Sequence, residues 1–364
     1  MKRGATASLT VAAILLALLA GCGQAAPRTK APAAVPAAAG TPSASLPVSS
    51  FPLPTRGATP RFLALGAAGS VWALAGSTLW EYAPVKGGWR SFPLPGRTVA
   101  MAAYGPGGLW LDQPGNAAGQ LVQWSPAGTA IATWPASAGG SRVGGLAVDP
   151  AGNAWISAAS RGGLLPHLRE VTLAGKVSVY PLAGVHGPPG GVAAAATQVW
   201  VALAGAYDPA TGAYTGAGIA RVTPATGKVK LFRLPWSGYS PRRLVLDPSG
   251  NLWFTCRTRP GGRYGWSGTL FELSAAGSFS RHTLAAPPGH PAWTGALRAL
   301  AVGAKGEVWA YDVNYAGTTA RLAELTPAGT LTYSAPFGPA PRPALRVDQK
   351  GRVWFLKAGG LGRL

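Results

Sequence analysis

From about residue 51 onward, apolar and polar positions alternate in short runs bounded by Gly, Asn, Pro or Asp. Alternation with a period of two sends successive side chains to opposite faces of a strand, and the bounding residues are those that turn a chain. Residues 243–285 show the unit most clearly. Arg243-Leu244-Val245-Leu246 reads as a strand, Asp247-Pro248-Ser249-Gly250-Asn251 as a hairpin turn, and Leu252-Trp253-Phe254-Thr255 as the returning strand. Leu270-Phe271-Glu272-Leu273 and the run from Ser278 to Leu284 supply a third and a fourth strand, parted by Ala275-Ala276-Gly277. The pattern predicts a four-stranded antiparallel meander. Asp149, Asp247 and Asp348 stand at the start of its first turn, where a carboxylate can accept hydrogen bonds from the turn's own amides.

One Trp marks each copy of the unit: Trp72, Trp110, Trp155, Trp200, Trp253, Trp309 and Trp354, at spacings of 38, 45, 45, 53, 56 and 45 residues. A period of this size, filled with several short strands, is that of a propeller and not of a helical solenoid. The last unit ends at Gly360-Leu361-Gly362-Arg363-Leu364, which allows a third strand and nothing further. Its missing fourth strand stands at the front of the domain, where Ser50-Phe51-Pro52-Leu53-Pro54 repeats Ser91-Phe92-Pro93-Leu94-Pro95. The expected fold is therefore all-β: a seven-bladed β-propeller of four-stranded antiparallel blades over residues 46–364. An N-terminal strand pairs with the C-terminal blade, closing the ring and removing exposed edges.

Composition supports this and restricts the chemistry. With 52 Gly and 34 Pro among 364 residues, long helices are excluded. The 32 Lys and Arg outnumber the 11 Asp and Glu to give +21, a balance that bears on partners. The acids are scattered singly, so no multi-carboxylate metal cage is expected, and no metal or other cofactor.

The N-terminus carries an address. Lys2 and Arg3 precede an apolar run from Leu9 to Ala20, too short for a bilayer span, and Leu19-Ala20-Gly21-Cys22 resembles the bacterial lipobox. Residues 1–21 are expected to be a lipoprotein signal peptide. Residues 22–45 then form a flexible Ala/Pro/Ser-rich tether that begins at a lipidated Cys22. The protein would be exported and anchored to the outer side of the cytoplasmic membrane, or to an outer membrane where one exists. Cys256 would be the one free thiol, with no second thiol to pair with. A buried, inert thiol at a strand end is its expected role.

The motifs Gly250-Asn251-Leu252-Trp253-Phe254-Thr255, Ile219-Ala220-Arg221-Val222-Thr223-Pro224 and Leu231-Phe232-Arg233-Leu234-Pro235 resemble the repeats of the streptogramin lyase family, and the resemblance extends over all seven units. It implies the seven-bladed scaffold. It would also imply Mg²⁺-dependent opening of a cyclic depsipeptide by His and Glu side chains at the channel mouth. The family's catalytic His stands in a Pro-His context ahead of an inner strand. Here the matching positions read Pro60-Arg61-Phe62-Leu63, Pro241-Arg242-Arg243-Leu244 and Arg342-Pro343-Ala344-Leu345. The family's late Glu falls near Lys357 and Ala358, and Cys256 takes the Glu slot of the fifth unit. Of the four histidines, His167 and His282 fall in strands, and only His186 and His290, between units, could reach the mouth. No catalytic residue is assigned. No Gly-x-Ser-x-Gly elbow, phosphate-binding loop or His-Glu-x-x-His is present.

The loops between the second and third strands lengthen in units four and five. From Trp to third strand the seven intervals are 7, 11, 13, 19, 17, 13 and 7 residues. These insertions carry Tyr207, Tyr214, Arg257, Arg259, Arg263, Tyr264 and Trp266, and the neighbouring inter-unit loops add Trp236, Tyr239, Arg242, Trp293 and Arg298. In a propeller both loop sets emerge at one end, so these residues form a candidate ligand-binding face. Its guanidinium forks suit carboxylate or phosphate, and its rings suit sugars or cyclic peptides. The same arginines also fit a surface that is basic by composition alone. Two functions remain in view: a tethered, monomeric propeller that binds an anionic polymer, glycan or protein without catalysis, and a Mg²⁺-dependent lyase with a rearranged site. Nucleic acid is not an expected partner of an exported protein.

Overall fold

The computed structural model describes residues 45–55, 57–66, 69–94, 101–105, 108–113, 120–125, 127–135, 142–159, 165–182, 187–211, 213–258, 268–286 and 295–364. The expected signal peptide, Cys22 and nearly all of the expected tether lie outside these residues. Every regular element among the described residues is a strand, and none of these residues forms a helix long and apolar enough to cross a membrane.

Seven four-stranded antiparallel blades follow one another along the chain. Blade 7 begins with its own outermost strand, β1 (Ser49–Pro52). Blade 1 comprises β2 to β5 (Pro60–Leu65, Val71–Ala75, Thr78–Ala83, Gly88–Pro93) and blade 2 comprises β6 to β9 (Met101–Gly105, Gly108–Gln113, Gln120–Trp124, Ala130–Pro135). Blade 3 comprises β10 to β13 (Arg142–Val148, Ala154–Ala159, Pro166–Val171, Val177–Pro181). Blade 4 holds β14 (Pro189–Ala194), β15 (Val199–Leu203), then a two-stranded excursion β16 (Ala206–Asp208) and β17 (Ala213–Thr215), then β18 (Gly218–Thr223) and β19 (Lys228–Arg233). Blade 5 comprises β20 to β23 (Ser240–Leu246, Leu252–Arg257, Thr269–Leu273, Phe279–Thr283). Blade 6 comprises β24 to β27 (Gly295–Val302, Val308–Asn314, Ala320–Leu325, Leu331–Tyr333). Blade 7 is completed by β28 (Leu345–Val347), β29 (Val353–Lys357) and β30 (Gly360–Arg363).

Closure follows the expected register: Ser49 faces Arg363, Phe51 faces Leu361 and Pro52 faces Gly360. Leu46 extends the seam by donating to the Tyr333 carbonyl and accepting from the Ala335 amide. Phe51 then packs between Tyr82 of blade 1 and Trp354 of blade 7, with centroids 4.9 and 5.4 Å away. The apolar core is a ring of inter-blade clusters. Trp72 and Leu111 join blades 1 and 2, Trp110 and Ile156 join 2 and 3, and Trp155 and Val201 join 3 and 4. Trp200 and Phe254 join 4 and 5, Trp253 and Leu300 join 5 and 6, Tyr311 and Phe355 join 6 and 7, and Trp354 and Leu63 join 7 and 1. Each Trp therefore packs blade against blade, which is why one recurs per unit.

Turn chemistry fixes the Trp side chains. Asp149 Oδ1 accepts from the Asn153 amide at 2.9 Å, while its Oδ2 accepts from the Asn153 side chain and from Trp155 Nε1 at 2.9 Å. Asp247, Asn251 and Trp253 repeat the arrangement, and Asp348 does so with Arg352 and Trp354. Gly250 closes its turn with φ 83°, a left-handed conformation that side chains resist. The turn aspartates are thus structural, and their bond to the indole is a feature that the sequence pattern left unread.

Candidate functional site

Five of the seven inner strands break register at a corresponding level. The breaks fall between Pro60 and Leu63, Val143 and Gly145, Pro189 and Val192, Pro241 and Leu244, and Leu297 and Ala299. A β-bulge sets extra residues against the partner strand and redirects side chains out of the ladder. The residues released here are Arg61 and Phe62, Gly144, Gly190 and Gly191, Arg242 and Arg243, and Arg298. The glycines permit close contact between neighbouring inner strands. A Cβ on Gly144 would stand 2.2 Å from the Pro189 carbonyl oxygen, and one on Gly191 would stand 2.3 Å from that of Arg242. Ser157 Oγ fastens this side by donating to the Gly190 carbonyl at 2.6 Å. Glycines thus bring blades 3, 4 and 5 together around the axis, and arginines fill the bulges of blades 1, 5 and 6.

Arg242 and Arg298 converge on Arg257, at the end of β21. Arg257 acts as a like charge on both, and burial is the larger reason that both guanidinium pKa values are lowered. Each arginine has a tyrosine beside it. Arg242 donates to the Tyr214 side chain, and Arg298 faces Tyr311, whose hydroxyl donates to the Leu356 carbonyl at 2.9 Å and accepts from the Ala340 amide. The Nε atoms of Arg242 and Arg298 are buried and have no hydrogen-bond acceptor among the described residues. No described carboxylate acts on Arg242, Arg243, Arg298 or Arg346. Unbalanced, enclosed cations of this kind favour an anion from solution.

Tyr214 reaches this cluster because the blade 4 insertion is a hairpin and not an irregular loop. β16 and β17 pair Tyr207 with Tyr214, their rings 5.3 Å apart, and the Tyr214 carbonyl accepts from the Gly238 amide. Sequence reading placed Tyr214 on the candidate face but took the insertion for a loop and missed the hairpin that carries the residue there. The signal available was the strand-forming Ala-Tyr repeat around Asp208.

The other expected site residues divide. Trp236 is not an open binding ring. It is buried between blades 4 and 5, against Phe271 and Phe279, with the Arg281 guanidinium 5.0 Å from its centroid. Tyr239 is half-buried beside it, edge-on to Phe271. The groove between two blades buries a ring more completely than the mouth would, and hydrophobic transfer favours the groove. Arg259, Arg263, Tyr264, Trp266 and Trp293 lie outside the described residues, as do His186 and His290.

Cys256 is fully buried, and burial pushes its thiol pKa well up against the smaller opposing effect of Arg242. His282 pairs with Glu272 at 3.1 Å on the two outer strands of blade 5, where Ser280 bonds the same carboxylate and the Trp253 ring lies tilted against the imidazole. No three His, Cys, Asp or Glu side chains come together among the described residues.

No protein-family model matches the sequence, and no curated protein resembles it by sequence. Solved structures do share its fold. Virginiamycin B lyase from Staphylococcus aureus superposes with a TM-score of 0.67 at 17% identity, over 87% of this chain and 98% of the lyase. A catalytically inactive variant of that enzyme with quinupristin gives 0.65 at 16% identity, over 87% and 98%. The extracellular domain of a hybrid two-component system from B. thetaiotaomicron gives 0.58 at 13% identity, over 87% of this chain and 39% of that one. The likeness shows that the chain has the seven-bladed scaffold of the streptogramin lyases. A lyase and the extracellular domain of a two-component system share the fold, so function must come from the residues at the site.

Proposed function

We propose that the protein is an exported, lipid-anchored propeller that binds an anionic or sugar-containing component of the cell envelope without catalysis. The observation that carries this reading is the convergence of Arg242, Arg257 and Arg298 from β20, β21 and β24 with no described carboxylate acting on Arg242 or Arg298. The positions at which the lyase pattern would place its histidine hold Arg61, Arg242 and Pro343, which favours holding an anion over moving a proton. The lipobox at Cys22 and the extracellular setting of one structural neighbour support export.

The test uses purified glycerol-phosphate polymer as probe and the mature chain. Binding should weaken steadily with salt, because accessible charges are screened beyond about 8 Å at physiological ionic strength. Replacing Arg242, Arg257 and Arg298 together with Ser should weaken it at least about tenfold at low salt, which corresponds to ~1.4 kcal/mol. Equal binding by the folded triple variant would overturn the reading.

A further inference from the structure

A second pair of arginines, Arg243 and Arg346, stands on the inner strands β20 and β28. Arg243 and Arg242 are neighbours in one bulge but serve different surroundings. Arg242 reaches Tyr214, Cys256 and Arg257, whereas Arg243, on which Arg242 acts as a like charge, in turn acts on Arg346 of blade 7. Blades 5 and 7 share no interface, since blade 6 packs between them. Their guanidinium groups can meet only across the space that the inner strands enclose.

Comparison among the blades shows how unusual Arg346 is. The inner-strand residue that pairs with the marker Trp is Ala64, Ala103, Ala147, Ala193, Val245 and Ala301 in blades 1 to 6. In blade 7 it is Arg346, paired with Trp354. Six blades place a small apolar group at this level and the seventh places a long cation. Arg346 is held in position by its own Nη1, which donates to the Leu345 carbonyl at 2.7 Å. Arg243 keeps a water-accessible surface and has no hydrogen-bond or ion-pair partner among the described residues. Its surroundings nevertheless enclose it enough that burial lowers its pKa, as burial lowers that of Arg346 to about 10. Water access combined with enclosure describes a side chain in a narrow wet channel.

Two cations facing each other in such a channel repel, and their donors lack acceptors of opposite charge. We propose that Arg243 and Arg346 form a site for a small dianionic oxyanion of the phosphate or sulfate type, bridged between the two guanidinium groups inside the channel. Each fork presents parallel N–H donors that match two oxygens of such an ion, and the ion's charge offsets the repulsion between them. A monovalent halide offers neither the charge nor the paired acceptors. The site adjoins the mouth cluster through Arg242 but uses a different pair of side chains, and it does not rest on the function proposed above.

The test is calorimetric titration of the purified mature chain with sodium sulfate and with sodium phosphate at pH 8, against chloride at matched ionic strength. Melting temperature is followed in parallel. Saturable one-to-one binding with a raised melting temperature is expected for both oxyanions and not for chloride. Arg243→Gln and Arg346→Ala should each weaken binding at least about tenfold, and the pair should abolish it. Arg346→Ala, which restores the residue of most other blades, should also melt higher than the parent in chloride, a result that separates lost repulsion from damaged folding. Arg257→Gln with Arg298→Gln should leave oxyanion binding within about twofold, whatever happens to polymer binding. No saturable heat with either oxyanion, or binding that survives in the double channel variant, would overturn the proposal. So would loss of oxyanion binding in the Arg257→Gln and Arg298→Gln variant alone, which would place the ion at the mouth.

Discussion

Replacing Asp348 with Ala tests whether the turn aspartates stabilise blade packing through the indole. Asp348 accepts from the amides of Lys350 and Arg352, from Arg352 Nε at 2.7 Å and from Trp354 Nε1 at 3.0 Å. Trp354 is fully buried, so the substitution leaves its N–H without an acceptor, at a cost of about 1–3 kcal/mol. The two turn amides lose about 1 kcal/mol each, less what water restores. The Arg352 pair adds a few tenths at most, because the guanidinium is partly exposed and screened. The sum is about 3–5 kcal/mol, a large part of an ordinary stability margin of ~5–15 kcal/mol. At about 2 °C per kcal/mol for a domain of this size, melting should fall by ~6–10 °C.

Burial alone would raise the Asp348 pKa, but the bonds from Trp354 and Arg352 outweigh it, and the net shift is downward. A carboxylate with a depressed folded pKa stabilises above its unfolded value and loses that contribution as pH falls through the folded one. The gap between Asp348→Ala and the parent should therefore be full at pH 7 and shrink below about pH 4. Scanning calorimetry of Asp348→Ala, Trp354→Phe and the double variant supplies the decisive comparison. Once the indole N–H is gone, removing the carboxylate should cost less than it does alone. A melting change under 2 °C for Asp348→Ala, or strict additivity in the cycle, would refute the indole bond as a source of stability.

Deleting residues 45–54 removes the β1 pairing, the Leu46 bonds and the Phe51 ring, and should lower the melting temperature by more than 10 °C; an unchanged value would contradict closure through β1. Burial pushes Asp112 up to about 6 from its ordinary 3.8. The folded chain thus retains a proton that the unfolded chain has released, so this group's contribution is full below pH 3.8 and lost by about pH 6. Asp112→Asn should flatten the melting profile over that interval, which a pH series of melts would show. The mature chain with Mg²⁺ should not open a streptogramin B ring, and chelator-sensitive ring opening detected by mass spectrometry would restore the lyase reading. Cys22→Ser should release the protein from the membrane fraction, as blotting of fractionated cells would reveal.

The blades were legible because each repeats a local pattern: strand alternation, a turn of Asp, Gly and Asn, and a Trp that must be buried. Even the closing strand could be read, since Ser50–Pro54 copies Ser91–Pro95. The site was legible only in part. Arg242, Arg257 and Arg298 could be assigned to one end of the ring because chain direction alternates strand by strand. Trp236 could not be told from a surface ring, since its burial depends on the groove between two blades. Arg243 and Arg346 were invisible as a pair, because a bulge shifts one side chain out of register and the two residues are 103 positions apart. Tyr214 could be placed on the candidate face, but its hairpin could not be read, because that pairing is set by a few residues with no marker of their own.

The closing strand also imposes an order of events. β1 is made before any of the other strands, but its partner β30 ends at Arg363, and Lys357 bonds Ser50 across 307 residues. A chain exported N-terminus first, as the lipobox proposes, would deliver β1 to the outer side of the membrane long before blade 7 arrives. Six blades can form by local pairing as they emerge, whereas the seventh must wait for β28 to β30. During that interval β1 is a lone strand and blade 7's slot an open edge, each able to pair with the wrong chain. Crossing the membrane unfolded and completing the ring outside would make the arrival of β30 the step that commits the molecule to its native state.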